Sequence, residues 1–185
     1  MRNGANGARY LKQRFLFAGG KKRAMKVFKR QEGFSLIELL IVVAIIGIIS
    51  AIAIPNLLAA KRGANEGSAQ ASLRTINSCE ITYQATTGVG DYGDIAALSV
   101  SLLTDSVLGS GTKSGYNFVA YPTAPGVRPA LYYATAVPTT TSGVGQTGTR
   151  RFGVSEDGAL RGDSSSPLTA YADEAAVRAA PGLGN

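Results

Sequence analysis

Glu38 is the one charged residue between Gly33 and Lys61, and it stands at the head of an otherwise apolar run. A carboxylate near the centre of a bilayer costs about 2.5 to 3.5 kcal/mol, so a residue of this kind calls for a cationic partner. Hydrolysis of the Gly33–Phe34 bond would supply one. The new α-amino group of Phe34 has a reference pKa of about 8, stays mostly protonated at neutral pH, and lies four residues before Glu38. Cleavage at Gly33 and retention of Glu38 thus become parts of one mechanism. The plainer alternative is that Gly33 starts a helix, Phe34 anchors in lipid and Glu38 snorkels toward water.

Other chemistry has little to work with. The chain has no histidine and no tryptophan, which removes the usual general base near neutral pH and the commonest neutral metal ligand. The nucleophile candidates are Cys79 and the serines at 164–166, with no histidine to activate them, and Lys113 is the one lysine beyond Lys61. Cys79, the only cysteine, has no intramolecular disulfide partner and reads as a small core residue. The expectation is a protein that is not an enzyme and carries no cofactor and no metal. A ligand-binding module, with Tyr132 and Tyr133 as contacts, is a further possibility, although aromatic residues in strands more often pack.

The element that must position Glu38 is a helix. Residues 39–60 contain no charge and are dominated by Ile, Val, Leu and Ala, enough at about 1.5 Å per residue to span a bilayer. Lys21, Lys22, Arg23, Lys26, Lys29 and Arg30 precede it, so the positive-inside rule keeps the leader cytoplasmic and sends the remainder across. Ala51-Ile52-Ala53 offers the small-x-small pattern of an ordinary secretory signal. The long basic n-region, the length of the apolar run and the intrusion of Glu38 weigh against that reading. Pro55 lacks an N–H and, with Gly47 upstream, predicts a kink or a locally loosened stretch.

Gly33-Phe-Ser-Leu-Ile-Glu38-Leu-Leu-Ile-Val-Val-Ala-Ile-Ile-Gly47, followed by Pro55, resembles the prepilin cleavage and methylation motif shared by type IV pilins and type II secretion pseudopilins. The resemblance is ungapped from Gly33 to Pro55. It implies that prepilin peptidase cuts after Gly33, that Phe34 is then N-methylated, and that Glu38 pairs with the α-amine of Phe34 in a neighbouring subunit. It also implies that the stretch bracketed by Gly47 and Pro55 loosens within an assembled filament. The implied partners are identical or related subunits in a helical filament, prepilin peptidase, an inner-membrane assembly platform, and membrane lipid before assembly. The implied location is the bacterial inner membrane for the precursor, single-pass with the N-terminus cytoplasmic, then an extracellular or periplasmic filament. The implied fold is α+β and pilin-like: a long kinked N-terminal helix packed on a small antiparallel sheet.

Within this family a pilus subunit is the first reading and a pseudopilin of a type II secretion system the alternative. Major pseudopilins often bind calcium through carboxylates in a C-terminal loop, and Glu156, Asp157 and Asp163 are the nearest candidates here. They form no dense D-x-D-x-D pattern, and Asp157 sits where a turn needs it. Two departures from the family stand out. The leader is long, and Met25 begins a compact alternative of nine residues ending at Gly33, so translation is expected to start there. The C-terminal cysteine pair of many type IV pilins is also missing.

Composition agrees with this division. The first 33 residues hold ten Lys or Arg against one acid, a balance of +9, whereas the rest holds nine against eleven, a balance of −2. The net +7 therefore belongs to the leader and disfavours nucleic acid as a partner of the folded domain. The expected segments are a leader over 1–33, a transmembrane and filament-core helix over 34–60, an amphipathic continuation over 61–87, a connector and sheet over 88–163, and a flexible tail over 164–185. In the continuation, Ala69, Leu73, Ile76, Cys79 and Tyr83 recur at steps of three and four and form one apolar stripe. Residues 94–108 read as a short helical or irregular connector packed through Ile95, Leu98, Leu102 and Leu103. The β-rich runs 115–121, 130–137 and 150–160 predict an antiparallel meander, with a turn at Asp157-Gly158 in the last. Small and polar residues dominate the tail, which is expected to be poorly ordered with a helical portion over 172–180.

Overall fold

The computed structural model describes residues 33–183 apart from 104 and 166. The expected leader before Gly33, with its alternative start at Met25, lies outside the described residues. The chain divides into two compact units, the first ending at Ile41 and the second running from Val42.

In the first unit Ser35 and Glu38 open helix α1, which is assigned over Leu36–Ala85. The second unit begins within the aliphatic part of that helix. Side chains such as Val42, Ile46, Ile49 and Leu57 are between 47% and 69% exposed, so the fold itself leaves this run bare. The helix passes through Gly47 and Pro55 without interruption in its assignment. Pro55 cannot donate to the carbonyl four residues back. One residue later the Asn56 side chain donates its Nδ2 to the Ile52 carbonyl at 3.0 Å, adding a polar bond within this apolar stretch.

From Glu66 onward α1 turns one face to a sheet. Ala69, Leu73 and Ile76 have no exposed surface, and Cys79 and Tyr83 pack at the edge of the same core, as the spacing predicts. Against them lie five antiparallel strands in chain order: β1 (Thr112–Lys113), β2 (Tyr116–Pro122), β3 (Tyr132–Pro138), β4 (Arg151–Ser155) and β5 (Arg161–Asp163). The meander is therefore present. Its final expected run, 150–160, ends as a strand at Ser155, because Asp157 builds a turn there. Asp157 Oδ1 accepts from Ser155 Oγ and from the Ala159 amide at 3.0 and 2.9 Å, and Gly158 takes a φ of +71°. The partner strand β5 follows, beyond the expected run.

Alternation along β2 sends Tyr116, Phe118 and Ala120 inward and leaves Asn117, Val119 and Tyr121 outside. Tyr116 pairs with Pro138 and Pro122 with Tyr132, which aligns Ala134 and Ala136 on the same inner face. Ala134 and Ala136 belong to one buried cluster with Ala69, Leu73 and Ile76 of α1 and with Phe152 and Val154 of β4. The connector forms α2 (Ile95–Ser101) and α3 (Ser106–Gly109). Asp94 caps the first by accepting from the Ala97 amide at 2.7 Å, and Asp105 caps the second through the Val107 and Leu108 amides at 3.0 and 3.2 Å. Ile95, Leu98 and Leu103 are buried as expected, Leu108 joins them, and Leu102 is half-buried.

The tail contains the helical portion that its composition predicts. Helix α4 (Glu174–Ala179), inside the expected 172–180 portion, lies on the sheet face opposite α1, and Tyr171 and Val177 are buried there. Gly153 makes room for them: a Cβ at that position would stand 3.1 Å from the Tyr171 ring and 3.0 Å from the Val177 side chain. The packing of this segment comes from specific partners. Arg151 places its guanidinium 4.2 Å from the Tyr171 ring centre and donates to the Thr169 carbonyl at 3.0 Å, and Leu183 donates its amide to the Leu160 carbonyl at 3.1 Å. Tyr171→Ala should cost about 3 kcal/mol of domain stability, the scale of emptying a buried aromatic site. Denaturant unfolding of the detergent-solubilised chain measures it, and a cost below about 1 kcal/mol would mean that the tail does not hold the sheet.

Candidate functional site

Of the residues singled out for chemistry at the N-terminus, Gly33 and Phe34 precede α1 and Glu38 lies in its first turn. A Cβ on Gly33 would touch nothing within 4 Å, and Phe34 is 83% exposed, so both sides of the expected cut are open. Ser35 is the residue before the first helical position. Glu38 reaches back three residues, and its Oε2 accepts the Ser35 backbone N–H at 2.9 Å. This reciprocal geometry is half of a capping box, in which the residue at the third helical position satisfies an amide that the helix leaves without a partner. The carboxylate is therefore turned toward the Phe34 end of the chain and is itself exposed. A negative charge in the first turn is also favoured by the helix dipole.

Ser35 was missed by reasoning that looked for a cation near Glu38, although the signal was present: Ser35-x-x-Glu38 directly before an apolar run is the sequence form of that box. Gly47 and Pro55 lie farther along α1, beyond the first turn that holds Glu38. A Cβ on Gly47 would meet no atom within 4 Å, so packing within one subunit does not demand glycine there.

The other candidate residues have local partners. Cys79 is half-buried, and burial, aided by the charge of Glu80, pushes its thiol upward, away from thiolate. Lys113 pairs with Asp105 at 2.7 Å, and Ser165 donates to Asp163 at 2.7 Å; Ser166 lies outside the described residues. Tyr132 is buried against Tyr92 and donates to Asn77, while Tyr133 stacks on Tyr121 at 4.8 Å and donates to the Ala172 carbonyl at 3.0 Å. Glu156, Asp157 and Asp163 each face a separate arginine: Arg178, Arg161 and Arg151. The Arg161 bond holds Asp157 down at about 2. Burial would raise Asp163, but Arg151, Ser165 and Tyr171 outweigh it and bring it to about 2. Among the described residues no three His, Cys, Asp or Glu side chains gather as a metal site.

Two acids on the inner face of α1 behave oppositely. Both continue the apolar stripe at its own spacing, three before Ala69 and four after Ile76, a signal that their charge obscured. Burial would raise Glu66. It is instead lowered, because Oε1 accepts from the Thr149 amide and hydroxyl at 2.8 and 2.7 Å and Oε2 from Arg150 at 3.1 Å. Glu80 has no exposed surface, and its Oε2 accepts only the Gly93 amide at 2.9 Å, leaving Oε1 with no partner. Burial, with a smaller push from Asp94, raises this carboxyl to about 7 against the Gly93 bond.

Comparison with known proteins supports the type IV pilin family. Residues 28–54 match the prokaryotic N-terminal methylation motif. The chain is similar to the type IV wide pilus major component PilA4 of Thermus thermophilus, at 40% identity over 74 residues, which are 40% of this chain and 56% of that protein. It is similar to the type IV major pilin protein PilA of Myxococcus xanthus, at 39% identity over 61 residues, covering 33% of this chain and 28% of that one. The chain thus spans about half the length of the first relative and less of the second. No solved structure matches it.

Glu80 makes stability depend on pH in an unusual direction. Its carboxyl titrates near 4.5 when unfolded and near 7 when folded, so between those values the folded chain holds the extra proton. Stability therefore falls as pH rises through that window, by an amount on the order of 3 kcal/mol, and levels off above it. Asp157 and Asp163 act oppositely but have completed their contribution by about pH 5. Denaturant midpoints measured from pH 5 to pH 8 should decline, and Glu80→Gln should flatten the decline; an unchanged slope in that variant would assign it to another group.

Proposed function

From the premise of a type IV pilin-family N-terminus, we propose that this chain is the structural subunit of a surface filament, cut by prepilin peptidase after Gly33 and N-methylated at Phe34. The observation that carries the proposal is the bare aliphatic face of α1 with one carboxylate at its head. Side chains from Leu36 to Leu57 remain exposed in the folded chain, so they require lipid before assembly and other subunits after it. One helix of the described residues is long and apolar enough to cross a membrane, in keeping with a membrane-anchored precursor. The two relatives are named as major components of type IV pili, which supports assembly into a filament of like subunits.

Cleavage after Gly33 creates an ammonium one residue before the amide that Glu38 already holds. Oε2 is occupied by that bond within the chain, whereas Oε1 is free to receive the Phe34 ammonium of a neighbour. In an apolar surrounding an ion pair interacts far more strongly than in water, and an unpaired charge is correspondingly costly. Entry of a subunit is thereby tied to one axial register. The pairing of Glu156, Asp157 and Asp163 with arginines favours a pilus subunit over a calcium-binding pseudopilin. The assembly platform and the peptidase are partners that this reading requires.

Glu38→Ala removes both the cap and the charge, whereas Glu38→Gln keeps an acceptor at the capping position and removes only the charge. Both variants should insert in the membrane and yield about tenfold less sheared filament or worse. Normal assembly of the Gln variant would reduce Glu38 to a capping residue. Mass spectrometry of the sheared material should find N-methylated Phe34 as the first residue, and a start at Ile54 would instead indicate ordinary signal cleavage.

A further inference from the structure

Thirteen of the twenty charged residues beyond Gly33 form ion pairs, and what this leaves over has a pattern. Six of the nine basic residues there form ion pairs within the chain. The three without one among the described residues, Lys61, Arg62 and Arg74, all lie on α1. The acids outside ion pairs are Glu38, Glu80, Asp94 and Asp173. Glu38 opens α1, and Glu80 is sealed in the core. Asp173 caps α4 on the sheet face turned away from α1. Asp94 remains: it is exposed and borders α1, because the Gly93 amide beside it is bonded to Glu80.

We propose that Arg74, on the open face of α1, pairs with Asp94 of a second copy of this chain displaced along the helix axis. The proposal rests on the filament reading and adds a contact on the folded domain. Arg74 is exposed, and no acid of its own chain reaches it among the described residues. Asp94 stands at the level of Glu80, six residues beyond Arg74 and so about 9 Å further along the axis. A copy advanced by that distance toward the C-terminal end of α1 brings its Arg74 beside the Asp94 of the copy it left behind.

Capping dictates the form of the test. Asp94 accepts the Ala97 amide, and asparagine serves that role equally well, so Asp94→Asn removes the charge and keeps α2 capped. Arg74→Gln and Asp94→Asn in the full chain should each lower sheared filament about threefold at an unchanged membrane pool of subunit, the scale of one partly screened ion pair. The double variant should be no worse than the weaker single one. Losses that multiply in the double variant, or singles that assemble like the wild type, would overturn the contact. A wild-type chain that yields no filament while staying in the membrane would overturn the filament reading and the contact with it.

Discussion

One helix has to satisfy two surroundings, and the rest of the structure follows from that constraint. Up to about Ala60 every side of α1 is apolar, so no single folded domain could cover it and none does. From Glu66 onward the same helix confines its burial to one stripe, and the sheet, the connector and the tail are arranged around that stripe. The first part of the helix is an exposed apolar surface, and the second is the centre of a core. The change occurs at Lys61 and Arg62, the first charges after Glu38.

The second surrounding explains the fold's polar interior. Glu66 and Glu80 occupy core-facing positions of α1 that hydrophobic residues would otherwise fill. Their treatment differs. Glu66 is met by Thr149 and Arg150 from the segment entering β4, so it ties the base of the sheet to the helix. Glu80 receives one amide, from Gly93, and fastens the chain leaving the helix back onto it. An acid with one bond in a dry site is stable only if it keeps its proton, whereas an acid with three donors keeps its charge.

Much of this was legible in the residues, and the gaps have physical causes. The membrane-length run, the stripe from Ala69 to Tyr83 and the meander follow from periodicity and turn chemistry, which are local. Glu66 and Glu80 fit the same periodicity, but a rule that counts charge as exposure passes over them; what admits them is a set of donors 13 to 84 residues away in the chain. The packing of the tail was hidden for a related reason. Its composition is poor in large apolar residues, yet Tyr171 and Val177 meet a surface that Gly153 leaves vacant, a match that composition cannot express. At the candidate site the intrachain role of Glu38 was not legible, because Ser35 contributes only its backbone amide.

With no disulfide to close it, the C-terminal segment is held by ion pairs that also bond to neighbours. Arg151 joins Asp163, Thr169 and the Tyr171 ring, and Arg178 joins both Glu156 and Glu174. Isolated surface pairs contribute little, but Arg151 and Asp163 are mostly shielded and share partners, the arrangement in which pairing is worth most. Electrostatics therefore closes the end of the domain where a covalent bridge is absent. It also neutralises the acids of the sheet, so that among the described residues the charges left without partners are concentrated on α1 and at the caps of α2 and α4. Among the described residues, those unpaired charges, apart from the buried Glu80, are the ones open to a second copy, and most of them lie along the helix whose apolar head the folded chain leaves exposed.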